Sequence, residues 1–219
     1  SIDTLKIVAD KLHIKLNFIK TDSWIQSQQF LKEKKCDILP TAIKTDKRLK
    51  YALFTKPYLN YKLAIITKDD KPLVQNLESI LDKTMVRKKG SGLISKLKKL
   101  YPQIKIKETE NFEETFKMVA NGEVYYTIAT LPVIEYYKNK YKLKNLQLAG
   151  YTNLIYKLGI AVRKDKPLLR NILCKTLQTI PKITQKIIYE KWTKKPINNY
   201  DKYREIILTI IIIFFVIII

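Results

Sequence analysis

The chain has 219 residues, 46% of them hydrophobic, which excludes a mainly disordered polymer and leaves room for one large or two small domains. Its 42 basic residues against 20 acidic ones give a formal charge of +22, the first mark of a nucleic-acid binder. The basic residues are nearly all lysine, however, and run the whole length among Ile, Asn and Tyr, so they read as a solvated exterior and nucleic acid is set aside as a partner.

In chain order, Ile2, Leu5, Ile7, Val8 and Leu12 recur at helical spacing, and His13, the single histidine, falls where that helix must end. "KLNFIK" alternates as a strand does. Asp22 or Ser23 caps a helix in "DSWIQSQQFLKEKK", and "CDILPTAI" follows as a short buried strand. "FTKPY" is a turn and "YKLAIITKDD" another strand. The next series is "LESILDK" helix, "TMVRKKGSG" strand and glycine turn, "LISKLKKLYP" helix, "IKIKET" strand, "NFEETFKMVANG" helix, "VYYTIATL" strand and "PVIEYYKNKYK" helix. "YKLGIAVRKD" returns as a strand before the helices "PLLRNILCKTLQTI" and "PKITQKIIYEKW". This alternation predicts an α/β protein with mainly parallel sheets.

Cys36 and Cys174 lie far apart, outside any CxxC pair, and each has apolar neighbours. They carry no zinc or redox signature; free thiols are expected, with a disulfide left open if the domain is exported. No metal and no cofactor is expected. The sequence contains no P-loop, no HExxH and no GxSxG, so no catalytic residue is assigned. Residues 206–219, "IILTIIIIFFVIII", are uncharged, and as a helix would extend about 21 Å against a bilayer core of roughly 30 Å. They read as the start of a transmembrane helix. The other end has neither Met nor a signal peptide and begins inside an amphipathic helix, so an upstream segment is expected.

The order of motifs resembles the type 2 periplasmic solute-binding fold. The resemblance is carried by the "TDKR" turn, "FTKPY", a second lobe opening near "KPLVQNLESI", the "GSG" turn, "NGEVYYTIAT", and the return "LGIAVRKDKPLLRNIL" ending in "YEKW". Within that fold it is similar to the family 3 extracellular solute-binding proteins and to the Venus flytrap sensor domains of membrane-bound bacterial sensor kinases. The resemblance covers residues 1–192 and implies two lobes around a ligand cleft. Residues 1–67 would open lobe one, which would lack its N-terminal strand. Residues 72–152 would form lobe two, and 157–192 would return to lobe one with the C-terminal helices. A juxtamembrane linker, 193–205, would lead to the truncated span at 206–219. Crossovers are expected near 67–72 and 152–157.

The resemblance also implies a site. Arg48, three residues after Thr45, occupies the position that grips a ligand carboxylate. A planar fork of donors can make two parallel hydrogen bonds to a carboxylate where lysine offers a point charge, and this chain has five arginines among its 42 basic residues. The plain alternative is a surface arginine paired with Asp46 or Asp37. From lobe two, Ser91 and Gly92 offer backbone N–H groups at a helix start. Trp24, Tyr58 and Tyr61 are candidate aromatic walls, and Trp192 is expected to anchor the last helix on lobe one. Where amino-acid binders of this family place an acid for the ligand's ammonium, this chain has Thr130; their "DA" is Tyr125–Tyr126, and the hydrogen-bonding residue five before the arginine is Ile43. A standard α-amino acid is therefore in doubt, and an organic acid, a modified amino acid or a small peptide fits the arginine equally well.

The function so implied is an extracytoplasmic small-molecule sensor domain, tethered to the inner membrane by its C-terminal helix. Lobe closure would drive a downstream histidine kinase or diguanylate cyclase, and a homodimer is left open. The rivals are the binding component of an amino-acid-type ABC transporter, a murein-cleaving enzyme, and a membrane-tethered protein-binding domain with no small ligand. Lys191, Lys194, Lys195, Lys202 and Arg204 precede the span and argue against this orientation by the positive-inside rule, although the opposite flank is absent from the sequence.

Overall fold

The computed structural model describes residues 2–193. The predicted membrane start at 206–219 and most of the linker lie outside the described residues; among the described residues no helix is long and apolar enough to cross a membrane. In chain order the elements are α1 (Ile2–Leu12), α2 (Trp24–Lys32), β1 (Ile38–Ala42), α3 (Asp46–Leu49), β2 (Ala52–Phe54), β3 (Leu59–Lys68), a single 3-10 turn (Glu78–Ile80), β4 (Thr84–Lys88), α4 (Gly92–Leu100), β5 (Lys105–Thr109), α5 (Phe112–Ala120), β6 (Tyr126–Ala129), α6 (Leu131–Lys140), β7 (Leu146–Arg163), α7 (Pro167–Gln178) and α8 (Lys182–Thr193).

The sheet is mixed, which corrects the expectation of mainly parallel strands. β4 runs parallel to β5 and β6, whereas β3 is antiparallel to β6 and β7, and β7 is antiparallel to β1 and β2. The reason is that β7 carries the chain back through both lobes. Its 18 residues pair with β3 from Leu59↔Leu158 to Lys68↔Leu146, and a return strand beside its outgoing partner must run the opposite way. Burial along β7 shows where it crosses. Leu158–Val162 are buried, while the stretch 153–157 alternates between exposed and half-buried.

Each lobe packs both faces of its part of the sheet. In the first, Ile160 and Val162 meet Leu5 and Val8 of α1 and Leu173 and Leu177 of α7, while Ala161 faces Leu31, Leu39 and Ala52. In the second, Leu63 and Ile65 pack with Met85, Leu93, Leu97 and Tyr126, and Ala64 and Ile66 with Val86, Phe116 and Val119. Leu63, Ala64, Ile65 and Ile66 thus pack in the same cores as the residues of β4, α4 and α5.

Three further differences have local causes. "KLNFIK" forms no strand: Ile14, Phe18 and Ile19 are exposed, because no ladder partner lies beside this segment among the described residues. An apolar trough of about 550 Å³ runs between it, α1 and β1. "LESILDK" shrinks to the one 3-10 turn. β2 is missed because three residues are too few to show a period. By contrast, Ser23 caps α2 by accepting from Gln26 N at 3.1 Å, and His13, at φ 51°, ends α1 as expected.

Candidate functional site

β1, α2 and α3 from one lobe face the end of β4, the start of α4 and the β6–α6 junction from the other, and a cavity of about 200 Å³ lies between them. Thr45 sets one wall. Its hydroxyl accepts from Arg48 N at 3.3 Å and starts α3, which turns Arg48 inward until it is only 6% exposed. The guanidinium donates from Nε to Gln28 Oε1 at 3.1 Å, from Nη1 to Ile43 O at 2.8 Å and from Nη2 to Gly90 O at 3.0 Å. The last bond joins the lobes. Among the described residues no carboxylate pairs with it, neither Asp46 nor Asp37, and Asp37 pairs instead with Arg163 and Lys166.

The facing wall is cationic as well. Arg87, 3% exposed in β4, donates from Nε to Ser91 Oγ at 3.2 Å and from Nη1 to Ile128 O, and it also meets the Tyr156 hydroxyl. Beside it Lys88 Nζ lies 4.9 Å from the Phe112 ring centre and 5.9 Å from that of Trp24. Arg48 Cζ sits 5.4 Å from the Trp24 ring centre and Arg87 Cζ 5.2 Å from that of Phe112. The three cations therefore form an arc, Arg48, Lys88, Arg87, with one aromatic ring between each adjacent pair. Burial holds the Arg48 and Arg87 guanidiniums below the usual arginine range. Burial, and then the charge of Arg87, brings the Lys88 ammonium down to about 8.

Gly92 is where the lobes come closest. A side chain there would collide with Ile43 Cγ2, and would lie 3.0 Å from Arg48 Nη1 and 3.2 Å from Thr45 Cγ2. Ser91 caps α4, its Oγ accepting from Leu93 N at 3.4 Å. Thr130 starts α6 without a side-chain cap bond and lines the cavity, and among the described residues no Asp, Glu or His lines it with them.

Of the sequence candidates, Arg48, Ser91, Gly92, Thr130 and Trp24 line one cavity, and Thr45 supports it from behind. Tyr58 does not line it. Its hydroxyl donates to Pro40 O at 2.8 Å and its ring packs against the α1/α7 core, where burial raises its pKa. Tyr61 stacks on Tyr189 of α8, ring centres 5.7 Å apart. Arg87, Lys88, Phe112 and Tyr156 were missed. The first of these was legible, since arginine is as scarce at position 87 as at 48. Cys36 and Cys174 are free thiols.

A cleft between two lobes joined by paired crossing strands, with a buried arginine at its mouth, defines a two-lobe solute-binding protein of the Venus flytrap type. A family model, bacterial extracellular solute-binding proteins, family 3, matches residues 1–195, and the chain belongs to that family. The virulence sensor protein BvgS of Bordetella pertussis is 27% identical over 146 residues, and the sensor protein EvgS of Escherichia coli O157:H7 is 28% identical over 185. These alignments take in 66% and 77% of this chain but 12% and 14% of those proteins, so the chain spans a small part of the relatives it matches. The crystal structure of the B. pertussis BvgS periplasmic VFT2 domain superposes with a TM-score of 0.79 at 23% identity, over 87% of this chain and 82% of that one, and shares the fold. An ancestral arginine-binding protein bound to arginine gives 0.73 at 28% identity over 88% and 87%.

Proposed function

We propose that this chain is the ligand-sensing domain of a membrane signalling receptor, held outside the cytoplasm, and that its cleft closes on a small molecule carrying a carboxylate. The observation that carries the reading is Arg48, buried at the meeting of the lobes with three neutral oxygen partners and, among the described residues, no acid. A buried guanidinium without a counter-charge is costly, and a ligand carboxylate is the group its fork fits. The sensor proteins BvgS and EvgS among its relatives support a signalling role over transport. The cleft argues against the arginine of the ancestral neighbour, because a cationic ligand would enter beside three cations.

Transmission would run through α8. None of its residues is buried, yet it packs against α1 in the first lobe and α6 in the second, so a change in the angle between the lobes displaces it. The residues after Thr193 would carry that displacement through the linker to a span at 206–219 and a histidine kinase or diguanylate cyclase beyond. The ligand drives this only by its greater affinity for the closed state.

The test is thermal melting of wild type and Arg48→Ala against amino acids, organic acids and short peptides. A ligand at about a hundred times its dissociation constant adds about 2.7 kcal/mol. The expected result is a rise in Tm with carboxylate compounds that vanishes in Arg48→Ala. A rise that survives the substitution, or no rise with any compound, overturns the reading.

A further inference from the structure

The cavity contains more positive charge than one carboxylate can answer. Arg48, Arg87 and Lys88 all line it and none has an acidic partner among the described residues, whereas several other cations pair with acids: Arg163 with Asp37 and Asp165, Lys89 with Glu110, Lys117 with Glu113. Arg87 is the most telling, because a lysine-rich composition accounts for exposed charge and not for a guanidinium 3% exposed beneath a cleft. Its hydrogen-bond partners, Ser91 Oγ, Ile128 O and the Tyr156 hydroxyl, are all neutral, and a guanidinium carries five donors. Lys88 Nζ meets two ring faces, and no hydrogen bond to it is found among the described residues.

The placement separates two anion positions. Ser91 Oγ accepts from Arg87 Nε, and a Cβ added at its neighbour Gly92 would lie 3.0 Å from Arg48 Nη1, so the two guanidiniums flank the start of α4. We propose that the cleft binds a small dicarboxylate, one carboxylate on Arg48 and the second on Arg87 and Lys88, its carbon chain lying between Trp24 and Phe112. The assignment rests on the reading that Arg48 holds a carboxylate, and goes beyond it in fixing the ligand's charge. A monocarboxylate would leave the buried Arg87 and the half-buried Lys88 unanswered. A zwitterionic amino acid would bring its ammonium against Lys88 or Arg87 where Thr130 offers no acid to receive it. At about 200 Å³ the cavity is at the small end for ligand sites, which suits a short diacid.

The experiment is calorimetric titration of the 219-residue chain with succinate and glutarate, and with butyrate and valerate as monoacids of matching length. Wild type, Arg48→Gln, Arg87→Gln and Lys88→Gln are compared. The expected result is diacid binding at least tenfold tighter than monoacid binding, with that ratio falling toward one in Lys88→Gln and Arg87→Gln. Arg87 is deeply buried and its variant can misfold; Lys88, without a hydrogen bond to lose, keeps the test decisive. Equal binding of diacids and monoacids, with both lost in Arg48→Gln, overturns the dicarboxylate and leaves the Arg48 reading standing. Diacid binding that survives Arg48→Gln, or binding of neither class, overturns both.

Discussion

Arg48 and Gly90 are 42 positions apart and in different lobes, yet Arg48 Nη2 donates to the Gly90 carbonyl at 3.0 Å. With Gln28 and Ile43 holding its other edges, the guanidinium is oriented before any ligand arrives, which lowers the ordering cost of binding.

Arg48→Lys keeps the charge but loses the fork. Ligand affinity should fall at least about tenfold, or about 1.4 kcal/mol, with a further loss of about 1–3 kcal/mol in stability from the abandoned acceptors. Titration and chemical denaturation measure the two separately.

Gly92→Ala should leave each lobe folded and hold them apart, because the added methyl meets the Ile43 side chain. Small-angle scattering should give a larger radius of gyration, and ligand affinity should drop. Since the obstacle is a side chain, Gly92→Ala with Ile43→Ala should recover part of the closure. Equal loss in the single and double variants would assign the defect to the α4 backbone.

Lys88 gives opposite pH trends for folding and binding. Its folded pKa of about 8 lies below the ordinary 10.5, so between those values the unfolded chain holds the extra proton and unliganded stability rises with pH. The groups setting this are its burial and the adjacent Arg87. Binding of a dianion should weaken over the same window as the ammonium is lost. Melting with and without succinate across pH 8 should show the two curves converge.

Asp3 fastens the ends of the domain together. Its carboxylate accepts from Trp192 Nε1 at 2.7 Å and pairs with Lys191 at 3.1 Å, and these two contacts, Trp192 first, hold its pKa below 3.8. A depressed carboxylate contributes stability above its unfolded pKa and loses it as pH falls through the folded value. The Tm difference between wild type and Asp3→Asn should therefore be largest near neutrality and shrink in strong acid. Trp192→Phe removes the larger of the two contacts, so its loss should likewise be largest near neutrality and shrink in strong acid, and faster amide exchange in α8 would locate it.

The sequence by itself determined most of the elements and named some of the residues that line the cavity. Helical spacing placed α1 and capping residues placed α2, because these signals are local, while Thr45 and Arg48 were pointed to by the family resemblance of the "TDKR" turn. Only the tertiary structure decided the rest. Whether β3 and β7 run parallel or antiparallel depends on a partner some ninety positions away, and "KLNFIK" alternates like a strand whether or not a ladder lies beside it. Tyr58 and Trp24 read alike as aromatic walls until packing sent one into a core and the other into the cleft. The arc of Arg48, Lys88 and Arg87 joins residues from two lobes, and its want of any acid among the described residues comes from which charges folding brings together, which composition does not reveal.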